Sequence, residues 1–278
     1  KIDLINKVKL AAILGTWQST LTNFRYLPKT WKHNCEDERL LGVSLTGIMD
    51  NKLTIDPDPD LLTTLKTVAR QTNEKWAEKL GINKSASITC IKPSGTVSQL
   101  CDSASGIHTR HSDYYIRTVR GDNKDPLTQF LRDQGVVNEP DVMKPDSTTV
   151  FSFAVQSPKH SIKRDQWSAQ RQLDKWMMYQ EFWCEHKPSV TISVKEDEWI
   201  PIGSWVFNNF EKISGISFLP YSEHSYQQAP YQECDKERYK EIASKTPSIV
   251  WEDLSKYESE DYTVASQELA CVGNSCEL

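Results

Sequence analysis

The sequence predicts an α/β protein in which parallel strands are joined by crossover helices. Apolar segments of period two alternate along the chain with segments of period 3.6, and Pro, Gly and Asp clusters separate them. No Gly-x-Gly-x-x-Gly fingerprint occurs, so a barrel wall accounts for the alternation better than a dinucleotide-binding sheet. The 278 residues are enough for one large domain or two small ones, and no internal repeat of useful length is visible.

Taken in order, residues 2–21 are helical by period, with Ile5, Val8, Ala12, Leu14 and Trp17 on one side. Asn34, Glu36 and Asp37 resemble a helix start, and the run 40–49 alternates Val43, Leu45, Gly47 and Met49 with Ser44, Thr46 and Ile48, as a strand would. Residues 56–60 form a turn. Residues 61–80 make an amphipathic helix closed by Gly81 at the position a C-cap prefers. A strand is expected over 86–91 and a short helix from 97. Asp125-Pro126 opens another helix, with a cap followed by proline at the first helical position, and Gly135 ends it. Strands follow at 148–155, 189–195 and 215–219, and helices at 165–186 and 196–213. From about residue 246 the chain turns polar, so the expected division is a body of residues 1–245 and a loosely held tail of 246–278.

Composition excludes several functions. The net charge of -5 argues against a nonspecific nucleic-acid binder, and no apolar run approaches the ~20 residues of a membrane span. Seven cysteines without framework spacing fit a reducing cytoplasm, with Cys35, Cys90, Cys101, Cys184 and Cys234 read as ordinary thiols. Lys1-Ile2-Asp3 starts no signal peptide and lacks an initiator methionine, so a fragment, a processed chain or a spliced product is expected.

Two places carry chemistry. Lys92-Pro93-Ser94-Gly95-Thr96 sits between a strand and a helix-compatible run, where a turn exposes amides that favour an anion. It is not a P-loop, because the lysine precedes the glycine, and an ordinary surface turn fits the local pattern as well. Near the end, Cys271 and Cys276 enclose Val-Gly-Asn-Ser, where Gly273-Asn274 can fold two thiols together. A reversible disulfide and two incidental thiols on a frayed end both remain open, whereas zinc fails for want of a second ligand pair. His108 and His111 stand three apart with no third ligand, so no metal is expected; His108, Arg110 and Lys92 are second-tier candidates.

The words KPSGTVSQL and SGIHTR, with LLGVSLTGIMD at 40–50 and the cysteine-bearing ending ELACVGNSCEL at 268–278, resemble the adenosylcobalamin-dependent (class II) ribonucleotide reductases, particularly their ribonucleoside-triphosphate branch. The resemblance implies the C-terminal part of a ten-stranded α/β barrel with a flexible tail. It implies that Pro93, Ser94, Gly95 and Thr96 hold the phosphates of a ribonucleoside triphosphate or diphosphate. It further implies that Cys271 and Cys276 relay electrons from thioredoxin to an active-site disulfide, that adenosylcobalamin supplies the radical, and that the N-terminal portion of the reductase is a partner. The chain departs from that family in one respect: the Asn-x-Cys-x-Glu arrangement of the radical cysteine is absent, Asn34-Cys35-Glu36 having a different spacing. Two rivals remain, a noncatalytic nucleotide-binding subunit that completes a split barrel and a thiol-disulfide carrier, the latter weakened by the lack of Cys-x-x-Cys.

Overall fold

The computed structural model describes residues 1–95, 97–221 and 226–258, together with the backbone of two short strands at 271–272 and 275–276. The chain forms two compact units, one of residues 1–109 and 166–221 and the other of residues 110–165 with the described part of 222–277.

The first unit begins with α1 (Ile2–Gln18) and α2 (Lys29–Glu38), then β1 (Val43–Ser44), the short α3 (Lys52–Ile55) and α4 (Pro59–Leu80). Next come β2 (Thr89–Cys90) and the single turn α5 (Val97–Leu100). Local chemistry sets several of these ends. Asp58 caps α4 by accepting from the Asp60 amide, Pro59 stands in its first turn, and Gly81 closes it in the left-handed region at φ 66°. Asn34, Glu36 and Asp37 lie inside α2 rather than at its start, because Pro28 already begins the helix six residues earlier. The alternation over 40–49 yields only two residues of strand. At Gly47 the backbone turns left-handed (φ 66°) into a 3-10 turn, Ile48–Asp50, so the remaining apolar residues bury themselves through a turn.

The second unit contributes β3 (Tyr114–Asp122), α6 (Pro126–Asp133), β4 (Asn138–Pro140) and β5 (Thr148–Gln156). The chain then returns to the first unit with α7 (Ala169–Phe182), β6 (Val190–Val194), α8 (Trp199–Asn209) and β7 (Ile216–Pro220), and ends in the second with β8 (Tyr231–Glu233) and α9 (Lys236–Lys245). The helix expected over 165–186 is shorter at both ends: the Ser168 hydroxyl caps it by accepting from the Arg171 amide.

Parallel pairing holds in the first unit and fails in the second. β1 pairs with β2 and β6 with β7, both parallel. The amides of Glu185 and His186 donate to the Thr89 carbonyl and that of Ser189 to the Ile91 carbonyl, so the chain entering β6 lies beside β2. Leu173, Trp176, Tyr179 and Trp183 bury the face of α7 and its end, with Ile91 and Ile192 fully buried on the strands. The aromatic tips are satisfied: Trp176 Nε1 donates to the Pro188 carbonyl, Tyr179 to that of Thr54 and Trp183 to that of Cys90. α4 packs on α1, where buried Asn73 donates to Thr16 and Ser85 hydroxyls and accepts from the Ser85 amide.

The second unit is instead a four-stranded antiparallel sheet of order β4-β5-β3-β8. β3 and β5 pair along nine residues, from Tyr114 opposite Gln156 to Asp122 opposite Thr148. Phe130 of α6 is fully buried and meets the rings of Trp251 and Tyr257, so residues 251–257 are anchored by aromatic contacts. On β3, Gly121 faces the buried Thr128 of α6, and a Cβ at residue 121 would overlap the Thr128 hydroxyl. Gly121→Ala is therefore expected to destabilise by about 1–3 kcal/mol, as overpacking does. Urea midpoints check this, and adding Thr128→Ala should recover part of the loss; a single variant as stable as the parent would remove the steric account.

Candidate functional site

Ile91, next to β2, is fully buried, and the chain reaches the surface immediately beyond it. Lys92, Pro93 and Gly95 are exposed and Ser94 is partly buried. Ser94 is held on every polar atom. Its amide donates to the Ser105 hydroxyl at 2.7 Å, its hydroxyl accepts from the Ser98 amide at 2.8 Å, and its carbonyl accepts from the Ser98 hydroxyl at 2.7 Å. The Gly95 amide has no hydrogen-bond partner among the described residues. Gly95 does not take positive φ, so the turn does not depend on a glycine's conformational freedom there. Instead, nothing stands within 4 Å of where its Cβ would be. Thr96 lies outside the described residues. α5 is one turn long, so a helix dipole gives little help, and of the described loop amides that of Gly95 is the one free to meet an anion.

Three separated stretches of sequence meet behind this loop. Thr46 donates to the Ala104 carbonyl and accepts from the Gly106 amide, both at 3.0 Å. The Asp50 carboxylate accepts from the Ala104 amide at 2.7 Å, and the Ser44 hydroxyl accepts from the Lys92 amide at 3.0 Å. The backbone closes the same contact, with the Gly47 amide on the Ala104 carbonyl and the Ile48 amide on that of Gly106. Two glycines permit this approach: a Cβ at Gly47 would stand 2.9 Å from the Ser103 Cβ, and one at Gly106 3.1 Å from the Lys92 carbonyl. Ser44, Thr46, Asp50 and Ser105 were not among the candidates from sequence. Hydroxyls and a carboxylate interrupting the apolar run at 40–50 were the available signal.

His108 lies in the same cluster. Its Nε2 stands 3.0 Å from the Thr191 amide, which can only donate, so Nε2 accepts and the ring proton sits on Nδ1, 3.0 Å from the Ser105 carbonyl. Burial lowers its pKa to about 4, opposed by the hydrogen bond to Ser105, and the ring is neutral at pH 7. Arg110 belongs to the second unit. Its backbone bonds to Ile162 and Arg164, and its buried side chain donates to the Tyr115 hydroxyl at 3.3 Å. His111 is in that unit too, stacked on Tyr231 and held to a pKa of about 4 by burial and then by the Arg164 charge. Lys92 offers an exposed cation beside the loop.

Among the described residues no three His, Cys, Asp or Glu side chains are close enough to hold a metal. Cys90 and Cys184 are buried, which raises both thiols, Cys184 to about 12, and leaves them poor nucleophiles. Cys271 and Cys276 are directly opposite one another as backbone partners of an antiparallel pair. Among the described residues no helix is long and apolar enough to cross a membrane.

The fold of the chain matches part of a solved structure: the crystal structure of a B12-dependent (class II) ribonucleotide reductase superposes with a TM-score of 0.75 over 92% of this chain and 40% of that one, at 24% identity. In sequence the chain is similar to adenosylcobalamin-dependent ribonucleoside-triphosphate reductases. It is 26% identical to that of Lactobacillus delbrueckii subsp. bulgaricus over 289 aligned positions, covering 91% of this chain and 39% of the relative. It is 30% identical to that of Euglena gracilis over 237, covering 82% of this chain and 32% of the relative. No family model matches. The resemblance carried by the four sequence words is thus borne out, and the chain spans about a third to two fifths of the length of these relatives. A cavity in the first unit lined by Phe24, Trp31, Asn34, Glu38 and Arg39 has about 360 Å³, near the lower end for small-molecule pockets and too small to enclose a corrin.

Proposed function

We propose that the chain is the C-terminal portion of an adenosylcobalamin-dependent ribonucleoside-triphosphate reductase of the cytoplasm. In this reading its first unit supplies part of the ten-stranded barrel wall, residues 93–96 hold the substrate's phosphates, and Cys271 with Cys276 forms the thioredoxin-linked redox pair on a tail. Residues 1–245 are the body and 246–278 the tail that carries the pair. The radical cysteine belongs to the N-terminal portion, with which this segment completes the enzyme. Cobalamin, when bound, supplies the radical; this segment binds and orients the substrate and passes electrons.

The observation that supports this reading best is the convergence of three sequence words on one exposed loop. Ser94 is fixed on both sides, while the neighbouring Gly95 is exposed and its amide has no hydrogen-bond partner among the described residues, an arrangement suited to an anion. In the full reductase, Gly95→Val is expected to weaken nucleoside-triphosphate binding by about tenfold, because a branched side chain would fill the space an anion needs to reach the amide. Lys92→Ala should stay within about threefold, since an exposed, screened charge contributes little. Equilibrium binding of both variants checks this, and parental affinity in the glycine variant would remove the loop from the site.

A further inference from the structure

We propose that His108 is a positioning residue for the phosphate loop, acting through Ser105. The inference rests on the reading that residues 93–95 meet the substrate's phosphates. A continuous set of hydrogen bonds runs from the wall to the loop: the Thr191 amide of β6 to His108 Nε2, His108 Nδ1 to the Ser105 carbonyl, and the Ser94 amide to the Ser105 hydroxyl. Among the described residues the His108 ring bonds to Ser105 and Thr191 and to no residue of 93–95, so its effect passes through Ser105.

The geometry makes His108 hard to replace. The Ser105 carbonyl accepts from both the His108 amide, at 2.9 Å, and the His108 ring, which pins that peptide in one orientation. On either side of Ser105, the amides of Ala104 and Gly106 are held by Asp50 and Thr46. The serine is thereby fixed by its carbonyl and by both neighbours, leaving its hydroxyl to set the height of the Ser94 amide. A protonated ring would present two donors and lose Thr191, so only the neutral Nδ1–H tautomer makes both bonds. Glutamine can reproduce one of the two bonds and phenylalanine neither.

The test compares CTP with cytidine in the full reductase carrying this segment, for His108→Phe, His108→Gln, Ser105→Ala and Gly95→Val. Positioning predicts about tenfold weaker CTP binding in His108→Phe and Ser105→Ala, the weight of one well-made hydrogen bond, with cytidine binding unchanged. His108→Gln should fall between these and the parent. The cytidine arm separates the roles, because a histidine that merely stabilises the fold would lower both affinities together. Equal loss of CTP and cytidine binding overturns the proposal. So does parental CTP affinity in His108→Phe and Ser105→Ala while Gly95→Val is impaired, an outcome that leaves the phosphate loop standing. Parental CTP affinity in Gly95→Val removes the loop reading itself and the positioning role with it.

Discussion

In a full reductase carrying this segment, Cys271→Ser or Cys276→Ser is expected to hold turnover with thioredoxin to about one cycle, while a small dithiol restores much of the rate. The backbone supports the pairing. Residues 271 and 276 are direct partners in an antiparallel ladder, where opposed Cα atoms stand about 4.5–5.5 Å apart, within the span a disulfide bridges. Electrons would pass by exchange. One tail thiolate attacks the site disulfide to give a mixed disulfide and one free site thiol; the second tail thiol then attacks it, freeing the other site thiol and leaving the tail oxidised. Two thioredoxin thiols then reduce the tail and leave as a disulfide. With one serine in the pair the mixed disulfide has no internal nucleophile to resolve it, so the cycle stops there. Substrate binding and the first hydrogen abstraction should be unaffected, because neither thiol need be present for them. A double serine variant that cycles normally with thioredoxin would show the pair to be incidental, and loss of even the first turnover would make the tail structural.

Local chemistry was legible in the sequence and long-range geometry was not. Gly81 closes α4 and Asp125-Pro126 opens α6 as local residue chemistry predicts, whereas the stretch read as a turn at 56–60 already holds the Asp58 cap and the Pro59 start of α4. β3 left no comparable mark: Arg117 and Arg120 interrupt its apolar residues, and Arg117 is nonetheless buried, laid over the Tyr231 ring and bonded to the Thr118 and Pro230 carbonyls. An arginine that depends on partners more than 100 residues away, here Pro230 and Tyr231, reads as exposed until those partners are known. The candidate site divides in the same way. Pro93, Ser94 and Gly95 were visible as a breaker after a strand, but Thr46 reaches Ala104 and Gly106 across 58 and 60 residues. Sequence order gives the words, and only the fold brings them together. Arg110, two residues from His108 in sequence, belongs to the antiparallel unit, a division that adjacency does not reveal.

Trp183→Ala is expected to cost the first unit about 3–5 kcal/mol, the range for emptying a large buried aromatic site. The indole is fully buried at the end of α7, and its Nε1 donates to the Cys90 carbonyl at 2.8 Å. Truncation would leave both a cavity and a carbonyl without a donor on β2, the strand that leads into the Pro93–Gly95 loop. The hydrogen bond alone weighs about 1–3 kcal/mol when its partner is stranded. Trp183→Phe keeps most of the ring area and loses only that donor, so its cost should fall in the lower range; comparing the two variants by urea unfolding assigns the larger share to packing. The neighbouring contacts cannot compensate. The Trp183 carbonyl is already engaged by the Thr89 hydroxyl at 2.6 Å, and Glu185 already accepts from the Ile88 and Thr89 amides. Because these bonds hold the strand from one side only, loosening the indole should also weaken CTP binding at the loop beyond it. An alanine variant within about 1 kcal/mol of the parent would sink this account, since no buried tryptophan in a close-packed core is removed so cheaply. A phenylalanine variant as unstable as the alanine one would instead make the Cys90 hydrogen bond, rather than the volume of the ring, what holds β2 against α7.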